Sequence, residues 1–235
     1  SPSLKLAVEH NYAQYIGEQQ TQNGVTLRLE YLILDQGQLR FFLKVDGPHG
    51  HYMASADLAD ENGVPLEGCA ISSSSFDPGE LTGAVSVHVS DDAFRFPEVL
   101  RLTLHLEGED GGAVDAPRPA PDDEEEIAPA YEGDFFFEIP LDASHLNEVI
   151  SIPMGDWVEV DGQRLRFALD SYPTHGRLTV EEHPDNTASL AGLDFYLEDE
   201  KGNRYGDSSS GSIGALGNAH MCDTTFFADP AHLTL

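Results

Sequence analysis

Apolar and polar residues alternate along three stretches of the first hundred or so positions. In Thr26 to Leu34, the side chains Leu27, Leu29, Tyr31 and Ile33 share one face and Arg28 and Glu30 the other. That period of two is what a half-buried strand requires. Leu39, Phe41, Leu43 and Val45 resume the pattern after Asp35-Gln36-Gly37-Gln38, which predicts a hairpin with a polar connection. Leu100, Leu102, Leu104 and Leu106 alternate with Arg101, Thr103 and His105 in a third predicted strand. Further strands are expected at Phe135 to Ile139, Trp157 to Val160, Gln163 to Leu169, Arg177 to Glu181, Leu193 to Leu197 and Leu233 to Leu235. Helical signal is confined to one turn each at His10 to Ile16 and Ser144 to Val149, too short to form a packing layer.

These features recur in order. Gly17, Asn23, Gly24, Leu27, Arg28 and Leu29 return 138 residues later as Gly155, Asp161, Gly162, Leu165, Arg166 and Phe167. At a spacing of 139, Leu39 matches Leu178, and Asp60-Glu61-Asn62-Gly63 matches Asp199-Glu200-Lys201-Gly202. Serine runs follow both of those turns, at Ser72 to Ser75 and Ser208 to Ser210, and Leu102-Thr103-Leu104 matches Leu233-Thr234-Leu235 at a spacing of 131. Asn23-Gly24 and Asp161-Gly162 are dipeptides that accept positive φ at both central positions of a tight hairpin. A duplicated β domain explains the shared order. The chain is therefore expected to be all-β, with two tandem immunoglobulin-like antiparallel β-sandwich domains at residues 1–107 and 134–235. Residues 108–133, with Pro117, Pro119, Pro121 and Pro129 around the acidic run Asp122 to Glu126, read as an acidic, Pro-rich linker or loop.

Composition narrows the partners. Of 235 residues, 42 are Asp or Glu and 12 Lys or Arg, a net charge of −30 that repels phosphate backbones and anionic lipid surfaces. Nucleic acid is excluded as a partner on that ground. No apolar run approaches the roughly 20 residues of a membrane helix, and a chain that starts Ser1-Pro2 reads as a soluble piece of something longer. Cys69 and Cys222 fall in different repeat units at non-equivalent positions; two isolated thiols is the simpler reading, a disulfide bridging the domains the other.

Candidate chemistry is sparse. Gly206-Asp207-Ser208 resembles the surroundings of a hydrolytic serine, but it names no histidine base and sits in a serine-rich loop. His49 and His51 fall on one face of an extended strand, yet a zinc site needs a third ligand that no spacing supplies. The two Asp-Glu-x-Gly turns lack the alternating oxygen ligands of a dedicated calcium loop, leaving only incidental weak binding. Trp157 is read as a core residue, with stacking on a sugar or a partner as the alternative. No catalytic, cofactor-binding or metal-binding residue is assigned, and no cofactor is expected.

Several segments together resemble a known family. Val8-Glu9-His10-Asn11-Tyr12, Ile16-Gly17, Asn23-Gly24-Val25-Thr26 and Asp35-Gln36-x-Gln38-Leu39 are similar to the domain of unknown function 4179 family. Val160-Asp161-Gly162-Gln163, Tyr172-Pro173-Thr174-His175, His183-Pro184-Asp185-Asn186-Thr187-Ala188 and Leu193 to Asn203 resemble its usual C-terminal companion. The resemblance implies an outward-facing immunoglobulin-like region of a single-pass bacterial membrane protein, on the cell surface and associated with sigma-factor regulation. It carries no active-site residues. The expected function is a non-enzymatic extracytoplasmic sensor or interaction module for an unknown protein or cell-envelope ligand, attached to the membrane through a segment absent here. The alternative is a cell-surface adhesion or carbohydrate-binding β-sandwich protein.

Overall fold

The computed structural model describes residues 2–91, 93–109, 130–146, 148–187, 196–206, 219–228, 230 and 232–234. The fold is all-β, and among the described residues its sheets are antiparallel. The chain divides into two compact units. The N-unit holds Gln14–Leu32 and Gln38–Ala143; the C-unit holds Ser1–Ala13, Ile33–Gly37 and Ser144–Leu235. These divisions fall elsewhere than the expected boundaries at 107 and 134.

In the N-unit, one sheet has the order β1 (Ala13–Gln22), β2 (Val25–Leu34), β3 (Gln38–Asp46), β7 (Leu81–Val89), β5 (Cys69–Ser73). The other has the order β6 (Ser75–Phe76), β4 (His51–Ala59), β8 (Val99–Glu109), β9 (Tyr131–Pro140). Alternation decides what is buried. Leu27, Leu29, Leu39, Phe41, Leu43 and Val45 of the first sheet are fully enclosed, as are Leu100 to Leu106 at even positions of β8. Strand β9 is the reason the boundary moves. It pairs with β8 from Val99↔Pro140 to Gly108↔Tyr131 and buries Tyr131, Phe135, Phe137 and Ile139. The acidic stretch after Glu109 thus connects two neighbouring strands of one unit instead of joining two domains; residues 110–129 lie outside the described residues.

Side chains also close this unit. On β1, Gln14 Nε2 donates to Pro140 O at 2.6 Å and its Oε1 accepts from Asp142 N at 3.0 Å. Gln20 Nε2 donates to Phe136 O, and Phe136 N returns a bond to Gln20 Oε1 at 3.4 Å. Gln22 Nε2 donates to Asp134 O at 2.5 Å. A carboxamide offers one donor and one acceptor side, as a peptide group does, so these glutamines stand in for a missing strand along β9.

The C-unit repeats the plan with shorter strands. β10 (Ile150–Pro153) and β11 (Val158–Val160) both pair with β12 (Gln163–Ser171), followed by β13 (Gly176–Glu182) and β16 (Ala219–Cys222). A second sheet has the order β15 (Arg204–Tyr205), β14 (Leu197–Asp199), β17 (Leu233–Thr234). Leu165, Phe167, Leu169, Leu178, Val180, Leu197 and Cys222 form its core.

The repeat extends to backbone geometry. Asn23 and Gly24 have φ of 49° and 84°, Asp161 and Gly162 of 50° and 75°, the mirror-image turn that suits a two-residue hairpin. Asp60 Oδ1 accepts from Asn62 N and Val64 N, and Asp199 Oδ1 accepts from Lys201 N and Asn203 N, the same two offsets. One register differs. Leu58 opposes Leu102 on β8, whereas Leu233, the counterpart of Leu102, opposes Asp199 and not Leu197.

Two expectations about helices change. The helix is α1, Pro2–Glu9, and Ala13 to Ile16 belong to β1. Proline at the second position suits a helix start, and Asn11 at φ 67° ends it, with Tyr12 N bonding back to Ala7 O. At Ser144 to Val149 there is a single turn, Ala143–His145. Among the described residues no helix is long and apolar enough to cross a membrane.

Candidate functional site

Titratable groups converge inside the C-unit. The connection between β2 and β3 looks in sequence like a solvent-facing turn, yet Asp35 is fully buried. Its Oδ1 accepts from Gly37 N at 2.9 Å, and its Oδ2 accepts from Thr174 N at 3.0 Å and Thr174 Oγ1 at 2.7 Å. Thr174 and His175 lie in the β12–β13 connection, where Tyr172 N donates to His175 O at 2.8 Å. His175 Nδ1 lies 2.8 Å from Thr174 Oγ1, and its ring stacks on Tyr172 at 4.7 Å. A Cβ on Gly37 would come within 2.9 Å of the His175 ring, so only glycine allows that approach.

A carboxylate, a hydroxyl and an imidazole in mutual contact have the composition of a hydrolytic triad, but the bonding runs the wrong way. The Thr174 hydroxyl gives its proton to Asp35, which leaves His175 Nδ1 to donate to Thr174 Oγ1 instead of taking its proton. Asp35, Thr174 and His175 expose 0%, 3% and 4% of their surface, so no substrate reaches them. The cluster is a satisfied polar network that fixes two chain connections.

Around it the C-unit is tied further. Ser3 Oγ donates to Asp223 Oδ1 at 2.8 Å and accepts from Thr224 N at 3.0 Å. Thr224 Oγ1 donates to Tyr172 O, and Ser171 Oγ lies 2.9 Å from Thr225 Oγ1. Tyr12 donates its hydroxyl to Glu148, while burial first and that carboxylate second push the phenol well above its ordinary range. His10 stacks on Phe227 at 4.1 Å. Helix α1 is thereby held to residues 223–227.

The sequence candidates are dispersed. His49 packs against Tyr52 and Tyr131, whereas His51 Nδ1 lies 2.8 Å from Asp77 Oδ1, so the pair does not converge. Among the described residues no group of three or more His, Cys, Asp or Glu is placed to hold a metal ion. Asp60 and Asp199 spend their oxygens on their own turns. Trp157 is half-buried, with Arg166 5.2 Å over its ring and His183 against its edge, so one face is already covered. Cys69 and Cys222 are not joined in a disulfide, and burial raises the pKa of Cys69. Asp207 and Ser208 lie outside the described residues, and Gly206 accepts Asp223 N in the loop before them.

An accessible cleft of about 710 Å³ lies in the N-unit. It is lined on one side by Pro65, Leu66 and Ile71 and on the other by Arg101, Thr103, Phe136 and Glu138, with Asp57 between. Phe136 is 63% exposed and Ile71 41%. Sequence reasoning missed Phe136, although the signal was present. In the run Phe135-Phe136-Phe137 a strand that buries the first and third must turn the second outwards. Arg101 Nε pairs with Glu138 at 2.9 Å, and His105 bridges Asp134 at 2.8 Å and Asp57 at 3.0 Å. Those two carboxylates, Asp134 the stronger, raise the His105 pKa.

No protein-family model matches the chain, and no curated protein matches it. Among solved structures it is similar to the crystal structure of a conserved domain protein from Bacillus anthracis. That similarity has 14% identity and a TM-score of 0.49, over 90% of this chain and 72% of the other.

Proposed function

We propose that this chain is a non-enzymatic interaction or sensing module built from two immunoglobulin-like β-sandwich units. In this reading it faces outwards from a bacterial cell, as the soluble part of a single-pass membrane protein held by a segment outside the chain. Its regulatory link is to a sigma factor, following its resemblance to the domain of unknown function 4179 family. The observation that carries the proposal is the contrast between closed and open chemistry. The carboxylate–hydroxyl–imidazole cluster described is enclosed and satisfied, whereas a cleft in the N-unit is accessible, with an exposed aromatic ring and a charged rim. Such a surface recognises; it presents no activated nucleophile.

The test is twofold. Panels of esters, peptides and glycosides are expected to show no turnover by the purified chain, and the fluorescently labelled chain is expected to bind bacterial envelope fragments saturably. Turnover that His175→Ala abolishes without unfolding the protein would overturn the reading.

A further inference from the structure

We propose that the N-unit cleft takes a segment of a partner protein in which an apolar side chain is flanked by lysine or arginine. This rests on the interaction-module reading and names its ligand chemistry. The volume of about 710 Å³ falls within the roughly 300–1,000 Å³ of pockets that enclose ligands. Leu66, Ile71 and Phe136 supply the apolar contact, two of them substantially exposed.

Charge selects the occupant. Asp57 and Glu138 stand at the rim, where Glu138 engages Arg101, the cleft's own cation, and Asp57 engages His105. On the same outward face Asp134 flanks Phe136 along β9, and Glu107 lies directly opposite Glu132 across the β8–β9 ladder. Like charges placed opposite one another in a sheet repel, and an incoming cation relieves them. A lysine or arginine lying over the open Phe136 ring gains a cation–π contact as well. The net charge of −30 steers basic segments towards the protein over longer range.

The edge of β4 beside the cleft is already in use. Away from β8, β4 is paired by β6 at Tyr52 and Met53 and by the Pro65 bridge at Ala59. Between those points Leu58 O already accepts from Leu66 N at 3.0 Å, and β5 lies alongside β4. A segment in the cleft is therefore held by its side chains, over Phe136 and Ile71, and not by adding a strand to β4.

The experiment uses the full chain, isotope-labelled for amide NMR. It is titrated with a synthetic heptapeptide alternating lysine and leucine, and with a glutamate–leucine peptide of equal length. The lysine peptide is expected to saturate with shifts centred on Ile71, Thr103 and Phe136, and to weaken as salt rises. Phe136→Ser, and separately Asp57→Asn with Glu138→Gln, are expected to weaken binding about tenfold, roughly 1.4 kcal/mol, with an unchanged melting temperature for Phe136→Ser and a small fall for the carboxylate pair, which loses its His105 and Arg101 contacts. Equal affinity for both peptides, undiminished binding by the variants, or saturation of the same residues by a neutral oligosaccharide would overturn the assignment. If neither peptide binds while envelope fragments still do, the cleft assignment fails and the interaction-module reading stands.

Discussion

Asp35 and Thr174 hold the same position in the two repeats, 139 residues apart, and they are hydrogen-bonded to each other. Each lies in the connection that follows the strand after the Asn-Gly or Asp-Gly hairpin, β2 or β12. The two connections correspond in the repeated sequence, and at this position one carries an acceptor and the other a donor.

The buried carboxylate makes that position sensitive. Asp35→Ala removes the acceptor of Thr174 N, Thr174 Oγ1 and Gly37 N together, and unsatisfied buried donors are costly. Urea unfolding is expected to show a loss of about 2–4 kcal/mol. Gly37→Ala should cost about 1–3 kcal/mol through overpacking against His175 and Tyr172. A change within experimental error for either variant would mean the connections adjust freely.

Acid titration reports on the Asp199 turn. Asp199 is held down to about 2, chiefly by the Asn203 side chain and then by main-chain N–H groups, and Tyr205 O–H adds a further bond. The same contact, after burial, pushes Tyr205 up to about 12. A carboxylate with a depressed folded pKa contributes stability that is complete above its unfolded value near 3.9 and is lost as pH falls through the folded value. The window for Asp199 therefore runs from about pH 4 down to about pH 2. Carboxyl NMR titration is expected to place Asp199 low, and Asn203→Ala should move it back towards an ordinary carboxylate.

His105 acts in the opposite sense. Its raised pKa means the imidazolium stabilises the fold, fully below the unfolded value near 6.5, with the contribution lost as pH rises through the folded value. The side chain is 37% exposed, so screening holds the effect under about 1 kcal/mol. Thermal melts between pH 5 and 8 should decline less steeply for His105→Asn. Identical slopes would remove the His105 bridge as a cause.

The glutamine seam on β1 gives a prediction about association. Gln20→Ala leaves Phe136 N and O without their side-chain partner, at a cost of about 0.5–1.5 kcal/mol. Replacing Gln14, Gln20 and Gln22 together frees one edge of β9, and free edges pair between molecules. Concentration-dependent sedimentation of the triple variant, with a monomeric parent, is the expected result.

Much of the scaffold was legible because period-two alternation survives wherever one face is buried, as in β3 and β8. It fails at the end of β2, where Leu32, Ile33 and Leu34 are all enclosed and alternation no longer reports a face. The turns were legible because Asn-Gly and Asp-Gly at fixed positions demand positive φ. What escaped were polar residues used internally. Asp35 and the seam glutamines look like solvated side chains, since sequence records a group's polarity and not its partner. The place of β9 escaped for another reason: an acidic, proline-rich stretch before it reads as a boundary, while pairing with β8 is a long-range choice. Phe136 was visible as the middle of three aromatics, but its neighbours drew attention to the core.

The C-unit draws its chain from three separate places, and this orders its formation during synthesis. Every strand of the N-unit has been made by Pro140, whereas Ser3, among the first residues to emerge, waits 220 residues for Asp223. Helix α1 and the Asp35 connection are thus made early and docked late. A released chain ending near residue 143 would carry every strand of the N-unit and none of the residues 223–227 that hold helix α1.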